Sequence, residues 1–339
     1  MSGPKVSVII PCYNLGAYLD EAVRSVLAQT LQDFEILVVN DGSTDPETNR
    51  LLTEYRRPRT QVLATAENRG LPAARNLAIG HATGEYLCAL DADDTLDPAF
   101  FAKAVPLLDA DPALAFVSCW LRGFGGEPWV WRQDRCDLAT LLAECTVCTA
   151  ALVRRALVLE CGGYDTAMPT PGDEDWDLWI SLVERGHRGV ILPEVLFQYR
   201  QRPGSMSTAL RGETHVRVME YLIRKHEAAY RRHLPDVLRR KAIDLERALR
   251  VNYGFERTLE CELEQQIRSS REELARLRAK LEGAVPARGA GAAPLEEALR
   301  SARREVAELR RSWSWRLTAP GRAAYDLLRR LGGRGAGSR

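Results

Sequence analysis

The chain has 339 residues, 45% hydrophobic and 27% charged, which is enough to bury one sizeable core with a second segment besides and excludes disorder throughout. Its formal charge of +1 conceals an imbalance: residues 1–210 hold 18 basic and 28 acidic side chains, net −10, and residues 211–339 hold 29 and 18, net +11. That asymmetry points to two parts with different partners, and no window approaches the roughly 18 to 20 consecutive apolar residues of a membrane-spanning helix.

In chain order, short apolar runs alternate with helical patterns: Val6 to Ile10 then Ala17 to Gln29, Phe34 to Val39 then Pro46 to Arg57, Val62 to Thr65 then Pro72 to Ala82, Tyr86 to Leu90 then Pro98 to Leu108. This rhythm predicts an α/β fold with a mostly parallel sheet and helices on both faces. Asp45 before Pro46 and Asp97 before Pro98 read as N-caps followed by proline at the first helical position. From about Ala115 the pattern is mixed, with strands expected at Ala115 to Arg122, Val130 to Arg132, Thr149 to Val153 and Gly189 to Leu192, and helices at Leu138 to Cys145 and Trp176 to Glu184.

Beyond residue 208 the sequence turns to long charged helices. The division expected is a catalytic domain over 1–208, a helical extension over 209–254, a coiled-coil-like helix over 255–284, a linker over 285–294, and a second helix with a basic amphipathic tail over 295–339. Ile267, Leu274 and Leu281 fall at heptad position a, with Leu263 and Leu277 at d, so self-association through a short coiled coil is expected, against the alternative of a solvated single helix. The last 30 residues carry eight arginines and one acid, Asp326, beside Trp313 and Trp315 and an apolar pattern through Leu331. This suits the surface of an anionic membrane. Nucleic acid is not expected as a partner, because the acidic front lacks any nucleic-acid-binding motif and would repel phosphate chains. The opening MSGPKVSVIIPCYN enters a strand-like run without a signal-peptide pattern, so a cytoplasmic location is expected, peripheral on the inner membrane face through the tail.

In open α/β sheets, ligands sit outside the carboxyl ends of the strands. The first strand ends in Pro11-Cys12-Tyr13-Asn14, the second in Asn40-Asp41-Gly42-Ser43, the fourth in Asp91-Ala92-Asp93-Asp94. No GxGxxG follows the first strand and no GxxxxGK[ST] occurs, which argues against an NAD-type Rossmann domain and a P-loop NTPase. Three carboxylates crowded at one strand end repel unless a cation neutralises them, and hard oxygen ligands favour Mg²⁺ or Mn²⁺. A polar turn ahead of the next helix is the equal alternative on these residues alone. Cys145 and Cys148 have CxxC spacing, but no second pair completes a tetrahedral metal site.

SVIIPCYN (residues 7–14), VVNDGSTD (38–45), ENRGLPAARNLAIGHATGEYLCALDADD (67–94), GGYD (162–165) and GDEDWDLWISLVERG (172–186), taken in this order, resemble the family 2 glycosyltransferases, inverting enzymes with the GT-A fold. The resemblance implies a nucleotide-sugar donor, a UDP-sugar being the commonest, a divalent cation, and a glycan or lipid-linked acceptor in surface-polysaccharide synthesis. Pro11, Tyr13 and Asn14 match the motif that shapes the base pocket, Asp41 the aspartate that accepts from the base or ribose, and Arg75 the element that reaches the donor phosphates. Asp91 and Asp93 match the DxD pair, with Asp93 as the direct metal ligand and Asp91 on ribose or metal-bound water. Asp175 matches the general base, with Glu174 and Asp173 as acceptor-side candidates; acidic capping of the helix start by Asp173 to Asp175 is the alternative. Arg202 stands where the family often has a His. Two rivals are a sugar-nucleotide pyrophosphorylase, whose glycine-rich opening is absent, and an inactive GT-A scaffold or nucleotide-sugar-binding protein in an assembly complex.

Overall fold

The apolar run that opens the chain is strand β1 (Val6–Cys12), buried along its whole length between β2 (Phe34–Asp41) and β4 (Tyr86–Ala89), both parallel to it. The structure is a computed structural model; it describes residues 3–170, 172–202, 205 and 213–246, and the single helical residues 265, 268, 272, 275, 276, 300 and 304. The chain divides into two units, Met1–Lys241 and Ala242–Arg339. The coiled-coil, linker and tail expectations fall, apart from those single residues, outside the described residues. Among the described residues no helix is long and apolar enough to cross a membrane.

In the first unit, β3 (Thr60–Thr65) extends the parallel set beyond β2. On the other side of β4 the sheet continues through β8 (Leu152–Arg154), β6 (Leu114–Phe124), β9 (Arg188–Arg200) and β5 (Thr95–Leu96). β8 is antiparallel to both neighbours and β9 runs parallel to β6. The short β7 (Trp129–Trp131) pairs antiparallel with the far end of β6. The expected mixed, mostly parallel sheet is therefore present.

Alternate residues of each strand feed opposite faces, so strands covered on both sides read as continuous apolar runs. Val6, Val8 and Ile10 pack with α1 (Gly16–Leu27) and α4 (Phe100–Ala110), through Leu19, Val23, Phe100 and Phe101. Ile9, Leu37 and Val39 face α3 (Leu71–His81) and, further along, α7 (Glu174–Glu184), whose Trp176 and Trp179 are fully buried. Trp179 meets Phe116 with ring centroids 4.9 Å apart, which locks α7 to β6. α5 (Leu138–Ala143) and α6 (Arg155–Glu160) complete this layer.

Local chemistry explains several boundaries. Asp45 caps α2 (Pro46–Glu54) as expected, accepting from Thr48 N at 2.9 Å. Asp97-Pro98, in contrast, forms a turn two residues ahead of α4: the Asp97 carboxylate accepts from Ala99 N, and Pro98 O is held by Thr30 N at 2.8 Å. β9 runs eight residues past the expected Leu192. Its register against β6 shifts between Cys119↔Leu192 and Trp120↔Val195, so Pro193, which lacks an N–H, sits in the irregularity. The expected strand from Thr149 begins only at Leu152, because Ala151 N turns back to Cys148 O. α8 (Glu213–Lys225) and helical residues 227–246 follow; Val218, Leu222, Ala229, Tyr230 and Val237 join the core beside α7, so the first unit runs past residue 208.

Candidate active site

The ends of β1, β2 and β4, the start of α7 and the end of β9 surround one cavity of about 770 Å³. It lies outside the carboxyl ends of the parallel strands, where this architecture leaves backbone donors and polar turns facing solvent. Pro11, Tyr13, Asn14 and Asp41 line one side, and Arg75, Asp91, Asp93, Glu174 and Asp175 the other. The fold thus brings all nine candidate residues together from five segments of the chain.

At the β1 and β2 ends, Tyr13 is exposed on the cavity wall while its neighbour Asn14 is committed to the loop. Asn14 adopts a left-handed backbone, φ 56°, and its side-chain oxygen accepts from Thr44 N and Asp45 N, both at 2.8 Å. Its amide donates to Thr44 Oγ1. The Asn14 side chain therefore ties the first strand end to the second at the cavity wall. Gly42 (φ +62°) lets the second loop pass close to the chain at Glu67, where a Cβ would stand 2.2 Å from the Glu67 carbonyl carbon. Asp41 does not cap the Gly42-Ser43 turn: its carboxylate accepts from Arg69 N at 3.0 Å, Gly70 N at 2.9 Å and Thr65 Oγ1 at 3.1 Å, fixing the entry to α3.

Arg75, on that helix, is buried and holds the centre of the site. Its guanidinium donates to Glu174 Oε1 at 2.5 Å, to Asp91 Oδ1 at 2.8 Å and to Thr149 Oγ1 at 3.0 Å, and it lies over the Tyr164 ring. The fork expected to reach donor phosphates is instead occupied by two carboxylates of the protein, an arrangement that a planar, always-charged group suits. Glu174 is equally buried, with Oε2 accepting from Gly172 N at 2.7 Å. Glu174 is thus fixed at the cavity wall by Arg75 and Gly172.

Asp175 differs from the adjacent Glu174. Its Oδ1 accepts only from the adjacent Trp176 N, at 2.8 Å, and it enters no ion pair among the described residues. Burial, aided by the nearby Glu174 charge and opposed by Arg75, holds its carboxyl well above the usual carboxylate range. Asp173, at the N-cap of α7, makes no side-chain cap bond.

At the end of β4, burial and the Asp91 charge raise the Asp93 carboxyl against the opposing hydrogen bond from Arg202. Asp94 is raised well above its ordinary range by burial and by Asp91; Oδ1 accepts from Arg200 N at 2.7 Å and Oδ2 is buried with no partner. Arg200 Nε donates to Asp93 O, so the end of β9 is pinned to the carboxylate turn. Arg202 Nε then forms an ion pair with Asp93 Oδ2. The crowding of Asp91 and Asp93 on the cavity wall fits a hard divalent cation that they would hold and non-protein oxygens would complete. Among the described residues no third Asp, Glu, His or Cys completes a metal cluster.

Sequence reading missed Thr149 and Tyr164 as partners of Arg75, and it gave Arg200 with Arg202 only as a pair that could close on a diphosphate. Arg200 sits in an Arg-Gln-Arg run that signals charge, but its partners come from segments more than 100 residues away. The CxxC cysteines do not converge: Cys145 Sγ donates to Val147 O, whereas Cys148 lines the cavity and contacts Ser118 Oγ at 3.3 Å.

Comparison with known proteins agrees with this geometry. EpsE of Bacillus subtilis (strain 168), named as a glycosyltransferase, is 32% identical over 211 residues, covering 59% of this chain and 74% of that protein. TuaG of the same organism, named as a teichuronic acid biosynthesis glycosyltransferase, is 29% identical over 212 residues, 60% of this chain and 82% of that one. Among solved structures, S. aureus TarS 1-349 in complex with UDP-GlcNAc superposes with a TM-score of 0.55 at 21% identity, covering 65% of this chain and 66% of that one. GalNAc-T7 with UDP, GalNAc and Mn²⁺ gives a TM-score of 0.51 at 19% identity, and this chain spans 44% of its length. Residues 7–158, from the first strand to the helix after β8, match the family described as Glycosyl transferase family 2. With that match, the relationship to EpsE and the fold of TarS, the chain belongs to glycosyl transferase family 2 and is a glycosyltransferase of the GT-A fold.

Proposed function

We propose that the enzyme transfers a sugar with inversion from a nucleotide diphosphate sugar, most simply a UDP-sugar, to a hydroxyl of a glycan or lipid-linked acceptor. The observation that carries this reading is the contrast between the carboxylates: Arg75 engages Asp91 and Glu174, while Asp175 faces the same cavity with a raised pKa. A carboxylate tuned toward neutral pH is suited to general-base work. Asp175 accepts the proton of the attacking hydroxyl as the new bond to the anomeric carbon forms, and the bond to the diphosphate oxygen breaks with its electron pair leaving on the nucleotide. Tyr13 packs on the base and Asp41 accepts from the base or ribose through its remaining lone pairs. Asp91 and Asp93 are the residues that would hold Mg²⁺ or Mn²⁺, which supplies charge stabilisation for the leaving diphosphate.

The UDP-GlcNAc bound in TarS and the UDP and Mn²⁺ of GalNAc-T7 support the donor and metal classes. The name of TuaG supports a role in bacterial surface-polysaccharide synthesis. A cytoplasmic enzyme meeting a lipid-linked acceptor at the inner membrane face would use its arginine-rich tail as a peripheral anchor.

Thermal-shift measurement with UDP-, GDP-, dTDP- and CMP-sugars, with and without Mn²⁺, tests the donor reading. One nucleotide class should stabilise the protein, and more strongly with Mn²⁺. Absence of any shift, together with no donor hydrolysis or transfer across the panel, would overturn it.

A further inference from the structure

The cavity has a wall that neither the nucleotide nor the base reading uses. Strands β7, β6 and β9 lie side by side, and their registers set Trp131, Leu121 and Phe197 in one row across the sheet and Trp129, Gly123 and Tyr199 in the next. Side chains opposite one another across a sheet share a face. All five side chains line the cavity, so this face is a platform of four aromatic rings and one leucine.

Gly123 leaves room for Trp129 on the platform. A Cβ there would stand 2.3 Å from Trp129 Nε1 and 2.5 Å from Cε2, so only glycine lets the indole lie down over β6. The Trp129 and Tyr199 ring centroids are 6.2 Å apart, and Trp129 remains 40% exposed, an unusual amount of bare indole for a cavity wall.

The platform is tied to the chemistry. Tyr199 immediately precedes Arg200, whose bonds to Asp93 O and Asp94 hold the end of β9 at the DxD turn, and Arg202 reaches Asp93 itself. The wall therefore adjoins the carboxylates on the β6–β9 side, across the β4 end from Tyr13 and Asp41.

We infer that this wall is an acceptor subsite that takes a pyranose ring, with the C–H face of the sugar on Trp129 and its hydroxyl edge turned to the charged side of the cavity. The chemistry selects the ligand. A pyranose has one apolar face and a hydroxyl rim, and here an aromatic plane borders Asp93, Arg202 and Asp175 within one cavity. An acyl chain would satisfy the aromatic plane but desolvate Asp175 and the Asp93–Arg202 pair without offering them a hydrogen bond, at a cost. The assignment of the ring as acceptor rests on the reading of Asp175 as base; the binding of a pyranose does not.

Saturation-transfer-difference NMR on the full chain separates the two. The probes are methyl glucopyranoside, methyl galactopyranoside and their 2-acetamido forms, with n-octanol as an apolar-chain control, each with and without UDP and Mn²⁺. Ring C–H protons of at least one glycoside should be saturated by the wild-type protein and by Trp129→Phe. The signal should fall about threefold to tenfold in Trp129→Ala, the range expected for one lost aromatic contact, while the UDP thermal shift is unchanged. Saturation of no glycoside, equal saturation in Trp129→Ala, or saturation of octanol alone overturns the subsite. A missing UDP shift overturns the donor reading, and the platform is then judged on the glycoside signal measured without UDP.

Discussion

Arg75 and Glu174, 99 residues apart in the chain, form a buried ion pair 2.5 Å long, and the same guanidinium reaches Asp91 at 2.8 Å. One arginine thereby links the end of β4 to the start of α7. The carboxylates proposed to hold the donor metal and the carboxylate proposed as base are set in relation to each other through it.

Removing that link should be costly. Arg75→Ala leaves Glu174 buried without its cation and Asp91 without its clamp, and breaking a buried pair from one side costs about 3 to 5 kcal/mol. Denaturant unfolding should report a loss in that range. Arg75→Lys should recover part of the stability and little of the turnover, because one ammonium cannot bridge both carboxylates in the fork geometry. Stability equal to wild type in Arg75→Ala would remove the linking role.

Asp175→Asn should lower turnover at least about 100-fold, the usual contribution of a positioned base, with nucleotide affinity nearly unchanged. The sign of the pH effect follows from the raised pKa. The carboxylate accepts a proton only when ionised, so turnover should rise with pH through a limb displaced above the usual carboxylate range. The folded state binds the proton more tightly than the unfolded chain does, so this group's contribution to stability falls as pH rises from the unfolded pKa through the folded one. At neutral pH Asp175→Asn removes that penalty, and its melting temperature should exceed wild type by about 2 to 4 °C for each ~1 kcal/mol recovered. Near wild-type turnover would sink the assignment of the base.

Arg202 and a divalent cation compete for Asp93 in this geometry. Titration of Mn²⁺ followed by electron paramagnetic resonance, without nucleotide, should find tighter binding in Arg202→Ala than in wild type. Asp93→Asn should weaken it by about tenfold or more, as expected on losing one of two carboxylate ligands. EDTA should abolish transfer and Mn²⁺ restore it. If Arg202→Ala and wild type bind Mn²⁺ alike, the ion pair has no bearing on the metal.

The tail, residues 310–339, has a net charge of +7 and two tryptophans. Its deletion should reduce co-sedimentation with vesicles containing anionic lipid and leave that with neutral vesicles unchanged, the difference shrinking as salt screens the charge. Equal sedimentation of the truncated and full-length proteins would refute membrane attachment by this segment.

Much of the frame was legible before any coordinates. Runs such as Val6–Ile10 and Phe34–Val39 declare themselves as doubly covered strands because their period and composition are local properties, and Asp45-Pro46 marks a helix start for the same reason. Where a boundary depended on a distant partner, as at Pro98 with Thr30 or Pro193 at the β9 irregularity, local pattern misjudged it. The motif residues could be named, since their types and order along the chain carry the family resemblance.

Their division of labour could not. Glu174 and Asp175 are adjacent, chemically alike and both on the cavity wall, yet one is paired with an arginine from α3 and the other enters no ion pair among the described residues. Arg75 also braces two carboxylates, and Asn14 also clamps the loop after β2. The sequence by itself determined which polar groups would stand at the strand ends, because strand periodicity and turn chemistry act within a few residues. Only the tertiary structure decided which carboxylates are paired and which are raised, because burial and Coulomb interaction depend on distances between segments that meet only when the sheet is assembled.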